Sequence, residues 1–548
     1  MQETQTTDIM SFFPRVGEIQ NPRRSQEVVI KEIDRVFKTG TRFLILEAPV
    51  GSGKSAVAMT MALSEGKDGA HLLVPRKNLQ EQYFSDFHKD ISLMKGRAAY
   101  PCVFEEKPSR YIPILNAVRN GSVKAPLRGQ PNCSDAPCRG DKEVYAMCTS
   151  DKECPYTLAI LTAQESPIIV HNLHSFIFQT KFSAKFQKRT LMVIDEAHEI
   201  QETVRGFLAK KITLKFPLTK AEVHAIDTLP KLLAFLYQDR FVPEETDRDR
   251  ALKIQDEDYV SPREEYLQKV EQVESEESFS KGFSVEWLPV YSPVNRSTQI
   301  ATTLEIIPHS LGNAPEGLLF QYADKVLLMS GTIYNKEVFC RGLGIDPAEA
   351  HFIRIGSTFP KENRPIYAKT EYQVDTSHAN WENNLDVMLG SISKIMSIFH
   401  DVKGLIHAPS YFAAEQVARL LNNPRVVTHD SSNFQQELDR FFESKGNQVL
   451  ISPVCQQGVD FKGDRARFQI ILRVPYASTG SKFAEDTVKT NFPMYNYWAL
   501  VTFGQQIGRV NRSDDDYGAT FLLDERFNKF LSRNRSVLPS WVNEAVIR

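Results

Sequence analysis

The sequence predicts an α/β protein made of two sheet-based units, the first carrying two insertions. Three observations predict this. A glycine-rich turn at residues 48–55 lies between an apolar strand and a helix; a later apolar strand runs into Asp195-Glu196-Ala197-His198; and a second series of short apolar strands separated by helical stretches begins near His351. At 548 residues the chain exceeds what a single hydrophobic core organises. Hydrophobic residues at 42% and charged residues at 24% describe a chain folded over most of its length. A net charge of −2 excludes a uniformly basic nucleic-acid binder, although it leaves room for a local positive track.

Residues 1–11 lack the basic and apolar regions of a secretory signal. No uninterrupted apolar run is long enough to cross a membrane, residues 161–178 being only moderately apolar. An intracellular protein without membrane association is the expectation. Seven cysteines, an odd number clustered in one region, fit reducing conditions better than a disulfide framework.

Residues 42–47 read as a buried strand, 48–55 as the turn and 56–63 as a helix, which is the order a phosphate-binding loop requires. A second strand at 70–74 is followed by Pro75 and a helix-like run at 78–87. The strand at 191–194 delivers Asp195 and Glu196 at its carboxyl end, where ligands bind in open parallel sheets. Between Cys102 and Cys154 the pattern breaks into prolines, glycines, charges and five cysteines, a segment that would gain stability from a metal centre. Residues 213–309 read as a largely helical, charged insertion, with 263–271 its clearest helix, before 325–329 resume the sheet. In the second unit the candidate strands are 404–408, 448–452, 468–473 and 519–523, and the helices 412–421 and 434–442. No internal repeat is visible.

In the first loop, Gly51, Ser52 and Gly53 let backbone amides surround phosphate oxygens, Lys54 adds positive charge and Ser55 offers a hydroxyl to magnesium. Ala48 replaces the first glycine of the general pattern. Asp195 is the candidate to hold Mg2+ together with Ser55, and Glu196 to activate the attacking water. An acidic pair after a strand also serves as a helix cap, so the assignment leans on its partnership with Lys54. Near the carboxyl end, Gln505-Gln506-Ile507-Gly508-Arg509-Val510-Asn511-Arg512 offers Gln505 to sense the γ-phosphate or water, and Arg509 and Arg512 to neutralise charge on the transferred group from a second domain.

Together these motifs resemble superfamily 2 DNA helicases of the XPD and DinG group, and the resemblance covers nearly the whole chain. It implies two RecA-like motor domains with an iron-sulfur insertion and a mainly helical arch-like insertion: the first motor at 1–100, 159–212 and 310–345, the iron-sulfur domain at 101–158, the arch at 213–309 and the second motor at 346–548. Arg23 and Gln26 match the family's adenine-side motif, Gly51 to Ser55 its phosphate loop, Val74-Pro75-Arg76 a DNA contact, and Ser330-Gly331-Thr332 the motif linking hydrolysis to motion. Ala408-Pro409-Ser410-Tyr411 resembles a DNA-backbone contact, Gln457-Gly458-Val459-Asp460 a coupling motif that brings Asp460 to the nucleotide, and Gln505 to Arg512 the arginine-finger motif.

Lys95-Gly96-Arg97 with Tyr100, and Cys154-Pro155-Tyr156, resemble the entrance and exit of the family's iron-sulfur domain. The implied [4Fe-4S] ligands are Cys102, Cys138, Cys148 and Cys154, with Cys133 as the alternative to Cys138; structural zinc is the chemical competitor. His171 and His174 read as core or backbone-bonding histidines, Cys340 and Cys455 as packed thiols.

The activity implied is ATP- and Mg2+-dependent 5′ to 3′ movement on single-stranded DNA and unwinding of forked or tailed duplex, by a monomer in the cytoplasm or another DNA-containing compartment, in repair, recombination or replication. Arg76, Lys77 and Tyr411 are candidate track residues. A DNA-stimulated ATPase that remodels protein–nucleic-acid complexes, and an RNA helicase, remain as alternatives. Ile9, Phe12 and Phe13 form the apolar part of a sliding-clamp peptide, but with Thr6 in the expected glutamine place; an apolar anchor onto the first motor is the competing reading.

Overall fold

The structure, a computed structural model, describes residues 8–16, 19–102, 132–134, 136, 154–181, 185–255, 259–369, 371, 373–455, 459, 461–511 and 516–547. Two parallel seven-stranded sheets organise it. In the first the order is β10-β1-β9-β5-β2-β4-β3, formed by β1 (Phe43–Glu47), β2 (Ala70–Val74), β3 (Ser92–Met94), β4 (Ile168–Asn172), β5 (Arg189–Ile194), β9 (Ala323–Ser330) and β10 (Ala350–Arg354). In the second it is β13-β14-β12-β15-β16-β11-β17, formed by β11 (Ile366–Tyr367), β12 (Gly404–His407), β13 (Val426–Thr428), β14 (Val449–Ser452), β15 (Phe468–Ile471), β16 (Ala519–Leu522) and β17 (Val546–Ile547). Strands buried on both faces, such as β1, β2 and β12, read as continuous apolar runs because helices cover each side of the sheet.

The helix Arg24–Lys38 shows how the layers form. Val29, Ile30, Ile33, Val36 and Phe37 repeat at helical spacing and are buried with Leu44 and Leu46 of β1. Each such large side chain contributes roughly 1.5–3 kcal/mol on removal from water. Ile9 and Phe13 are buried in the same core, with Met10 and Phe12 packed against it. The amino-terminal apolar residues therefore pack on the first unit, in accord with the anchor reading.

Two sequence expectations need correction. The insertion after β5 is mainly helical but not wholly so, for β6 (Lys210–Leu214), β7 (Phe283–Tyr291) and β8 (Gln299–Pro308) form an antiparallel sheet in the order β6-β8-β7 that the sequence reading did not include. Its signal was legible: Thr302, Leu304, Ile306 and Pro308 are buried at every second position of β8. Helices cover this sheet, among them Pro262–Ser275, begun by a capping box between Ser261 and Glu264 with proline in the first turn. Secondly, residues 350–354 do not open the second unit. They form the edge strand of the first sheet, pairing Glu47 with Arg354, before the chain crosses over.

The helix Phe492–Ile507 ties the halves together. Met494, Tyr497 and Val501 lie in the first unit's core, while Ala499, Leu500, Phe503 and Ile507 lie in the second's. Among the described residues, no helix is long and apolar enough to cross a membrane.

Candidate functional site

The strands β1, β9 and β5 are neighbours, so the loops leaving their carboxyl ends converge: residues 48–55 after β1, Gly331 and Thr332 after β9, and Asp195 and Glu196 after β5. Gly51 and Gly53 take positive φ of 77° and 78°, a region that favours glycine. A Cβ on Gly53 would also overlap the Gln26 amide. Gln26 Nε2 donates to Gly53 O at 3.2 Å and Arg23 Nη1 to Gly51 O at 2.6 Å, so both residues brace the loop from outside. Ser52 Oγ donates to Pro49 O, and among the described residues Lys54 Nζ reaches only Ala48 O at 3.1 Å and Pro49 O at 3.5 Å. The ammonium thus lies folded over the loop, where phosphate oxygens would replace carbonyls.

Asp195 is buried, and Tyr83 Oη donates to its Oδ2 at 2.9 Å. Tyr83 also engages Ser55 and is itself fully buried, so one phenol links the two side chains proposed for magnesium. Sequence reasoning missed Tyr83: it lies mid-helix in Lys77–Phe87, and its only signal is an aromatic at a position of the helix that faces the sheet. Burial, then the charge of Glu196, raises the Asp195 carboxyl above its ordinary range. For Glu196 burial acts upward as well, but the His198 hydrogen bond and the charges of Lys54 and Arg509 outweigh it and hold the group low. Glu196 takes φ of 50°, uncommon for a residue with a side chain and the kind of local strain concentrated at functional sites. A buried carboxylate beside a hydroxyl, and an adjacent one with a poorly satisfied oxygen, form a donor set suited to Mg2+ and a water.

A polar chain leads from Glu196 to the second unit. His198 Nδ1 lies 3.3 Å from Glu196 Oε2 and 2.8 Å from Ser330 Oγ. Ser330 Oγ is 3.4 Å from Thr332 Oγ1, which accepts from Gln505 Nε2 at 2.9 Å. Arg509 donates from Nη2 to Gln505 Oε1 at 2.9 Å, from Nε to Gln505 O at 2.9 Å, and from Nη1 to Val459 O at 2.6 Å. The cavity between the units is lined by Pro49, Val50, Glu196, Thr332, Gln505 and Gly508. Arg512 and Asp460 lie outside the described residues.

Of the candidate track residues, Arg76 pairs with Glu199 at 2.9 Å, next to His198, whereas Lys77 and Tyr411 are exposed. His171 is buried 3.2 Å from His71, and His174 is exposed.

Cys138 and Cys148 lie outside the described residues. Around the others the chain is clasped: Pro101 bridges to Asn132, Cys133 N donates to Tyr100 O at 2.8 Å, and the rings of Tyr100 and Tyr156 stack edge to face at 5.5 Å. Cys133 and Cys154 share a hydrogen bond that pushes Cys133 up and Cys154 down, and Cys102 is near enough to act on Cys133 electrostatically. Among the described residues, no three His, Cys, Asp or Glu side chains are arranged to hold a metal ion. Cys133, the alternative in the sequence reading, is thus placed beside Cys154.

Two family models match: a helicase C-terminal domain over residues 392–545 and the type III restriction enzyme res subunit over 19–221. The ATP-dependent DNA helicase YoaA of Escherichia coli is 21% identical, with 92% of this chain and 91% of that protein covered. The ATP-dependent DNA helicase XPD of Sulfolobus acidocaldarius is 22% identical over 88% and 93%. The XPD subunit of general transcription and DNA repair factor IIH from Dictyostelium discoideum is 23% identical, but only 48% of this chain and 37% of that protein are aligned. A solved XPD helicase superposes with a TM-score of 0.58 at 18% identity, covering 96% of this chain and 99% of the other, and Xpd4 of S. tokodaii with 0.54 at 12%, covering 96% and 99%. The fold is that of the XPD structures, and over most of its length the chain is similar in sequence to ATP-dependent DNA helicases.

Proposed function

We propose that this chain is an ATP-dependent DNA helicase that moves 5′ to 3′ on single-stranded DNA and separates duplex strands. Homology to DNA helicases supports the activity in general, and the observation that carries the reading is the continuous path from Glu196 through His198, Ser330, Thr332 and Gln505 to Arg509. Such a path lets the state of the nucleotide on the first motor alter the seat of the second. Lys54 and the loop amides would bind phosphates, Ser55 and Asp195 would hold Mg2+, and Glu196 would take the proton of the attacking water. Magnesium would supply charge neutralisation on the phosphates. Release of phosphate then removes the ligand that holds the walls together, and the motors change their grip on the strand.

An iron-sulfur cluster belongs to the same proposal. Its ligands would come from Cys102, Cys148 and Cys154 with Cys138 or Cys133, and it would staple a segment that has little apolar material of its own. The proximity of Cys133 to Cys154 supports Cys133 for the fourth place.

The test is strand separation by anaerobically purified protein on duplexes with a 5′ or a 3′ single-stranded tail, with iron measured on the same sample. Unwinding from the 5′ tail alone, with iron near four per chain, is expected on the [4Fe-4S] stoichiometry. Turnover of ATP without unwinding from either tail would favour a remodelling ATPase, and zinc in place of iron would overturn the cluster assignment.

A further inference from the structure

Behind the phosphate loop lies a second connection between the two units, independent of the path through His198. Glu47 ends β1, one residue before Ala48, and is buried. Its Oε2 accepts the backbone N–H of Tyr334 at 2.5 Å, and Arg354 lies against it, with Nε 3.0 Å from Oε1 and Nη2 3.2 Å from Oε2. The same Arg354 Nη2 approaches Tyr334 O at 2.6 Å and Val537 O at 3.2 Å. Val537 packs on the core of the second unit, so one guanidinium spans the phosphate-loop strand, the turn after β9 and the other motor.

Tyr334 is the strained part of this arrangement. It has φ of 54°, a conformation that costs a bulky residue about 1–3 kcal/mol and persists only where surroundings enforce it. The bonds to its N–H and carbonyl from Glu47 and Arg354 supply that enforcement. Its ring is buried in the second unit's core beside Leu500 and Phe503, and its hydroxyl, which makes no hydrogen bond among the described residues, presses on Gly504. A Cβ on Gly504 would overlap that hydroxyl and lie 2.7 Å from Thr332 Cγ2. Gly504 immediately precedes Gln505, which holds Arg509.

We propose that Glu47 and Arg354 are a positioning pair for hydrolysis: by fixing Tyr334 against Gly504, they set where Gln505 and Arg509 stand relative to the phosphate loop. Neither residue touches the reacting atoms. The inference rests on the reading of the cleft as an ATPase site and adds to it a mechanical link from β1, through the crossover strand β10, to the arginine-bearing segment. A carboxylate alone could hold one backbone N–H; the planar guanidinium, with Nε beside the carboxylate, also sets Nη2 between that carboxylate and two carbonyls in different units, which a lysine ammonium reproduces poorly.

The experiment compares Glu47→Gln, Arg354→Lys and the double variant with the full-length wild type. It reads ATP turnover stimulated by oligothymidylate, affinity for a fluorescent ATP analogue, and thermal stability. The expected result is a fall in kcat of about tenfold in each single variant, with KM and analogue affinity within about twofold and no further fall in the double variant, because the two residues act as one unit. Arg354→Lys keeps the charge and guards against a trivial folding defect. Wild-type turnover in either single variant overturns the inference, as do losses that multiply in the double variant or that track lost nucleotide affinity and stability. A wild-type chain that never hydrolyses ATP overturns the underlying reading of the cleft, and this inference with it.

Discussion

On the wall of the cleft that belongs to the first unit, Lys54 reaches nothing but loop carbonyls among the described residues, and Glu196 Oε2 has His198 Nδ1 at 3.3 Å. On the facing wall, Arg509 is buried and already serves Gln505 twice and Val459 once. The contrast separates two kinds of readiness. Half-buried charges with poor partners are a standing cost that a magnesium nucleotide would relieve, so on the proposed function the first wall is organised for binding. An arginine with its donors occupied must exchange bonds before it can face a phosphate, so the second wall is organised to respond. Each measurement below either breaks this division or makes it finer.

The largest effect is expected at Glu196. Glu196→Gln keeps the shape of the side chain but removes the carboxylate proposed as the base, and should lower kcat for ATP by about 10²–10⁴ while leaving nucleotide binding intact. If binding and turnover fell together, the first wall would owe its affinity to Glu196, and the division between binding and responding would break there.

Acid should distinguish the units by stability. His71 and His171 are fully buried under the first sheet, and burial holds both far below the ordinary histidine range, His71 at about 3. His407, under the second sheet, is held at about 4, again chiefly by burial. A histidine whose folded value is depressed stays neutral in the fold while the unfolded chain takes up a proton below about pH 6.5, so stability is present at neutral pH and lost as pH falls. At about pH 5 the loss is about 2 kcal/mol for His71 and for His407, and His171 adds to the loss of the first unit in the same direction. Hydrogen exchange between about pH 7 and 5 should therefore loosen β2 and β4 before β12. Equal loosening would mean that the two cores do not unfold separately.

Tyr83 is the place to divide the first wall further. Tyr83→Phe removes the hydroxyl shared between Ser55 and Asp195 and preserves the buried ring. Apparent Mg2+ affinity in the ATPase assay should weaken by about 10–100-fold, the usual consequence of losing a partner that orients a metal ligand, with kcat at saturating Mg2+ less affected. An unchanged Mg2+ requirement would reduce Tyr83 to packing.

Tyr83 also shows where sequence stops being informative. Lys54, Asp195 and Gln505 stand in short contiguous motifs at strand or helix ends, so their neighbours along the chain betray them, and most strands of both sheets are legible as apolar runs. Tyr83, Glu47 and Tyr334 act across the fold: their partners lie 112, 287 and 287 residues away respectively, and nothing local marks them. The missed sheet of β6, β7 and β8 failed for another reason, since the charged helices around it dominate the composition of the insertion while the alternation in β8 spans only ten residues. The edge strand β10 was assigned to the wrong unit because position in the chain does not reveal which sheet a strand completes.

The smallest effect, and the finest cut, is expected at Gln505. Gln505→Ala removes the donor to Thr332 and one acceptor of Arg509 while leaving Arg509 its bonds to the backbone of residue 505 and to Val459. Net loss of about one hydrogen bond is worth about 1 kcal/mol, or about a fivefold fall in kcat. Thr332→Val breaks the same contact from the other side and should cost a similar amount, and the pair together should cost little more than either alone, because both remove one link between the walls. Additive losses would mean that Gln505 works on the nucleotide directly and that Thr332 has a separate task. The second wall would then bind as well as respond, and the distinction between the two sides of the cleft would rest on Arg509 alone.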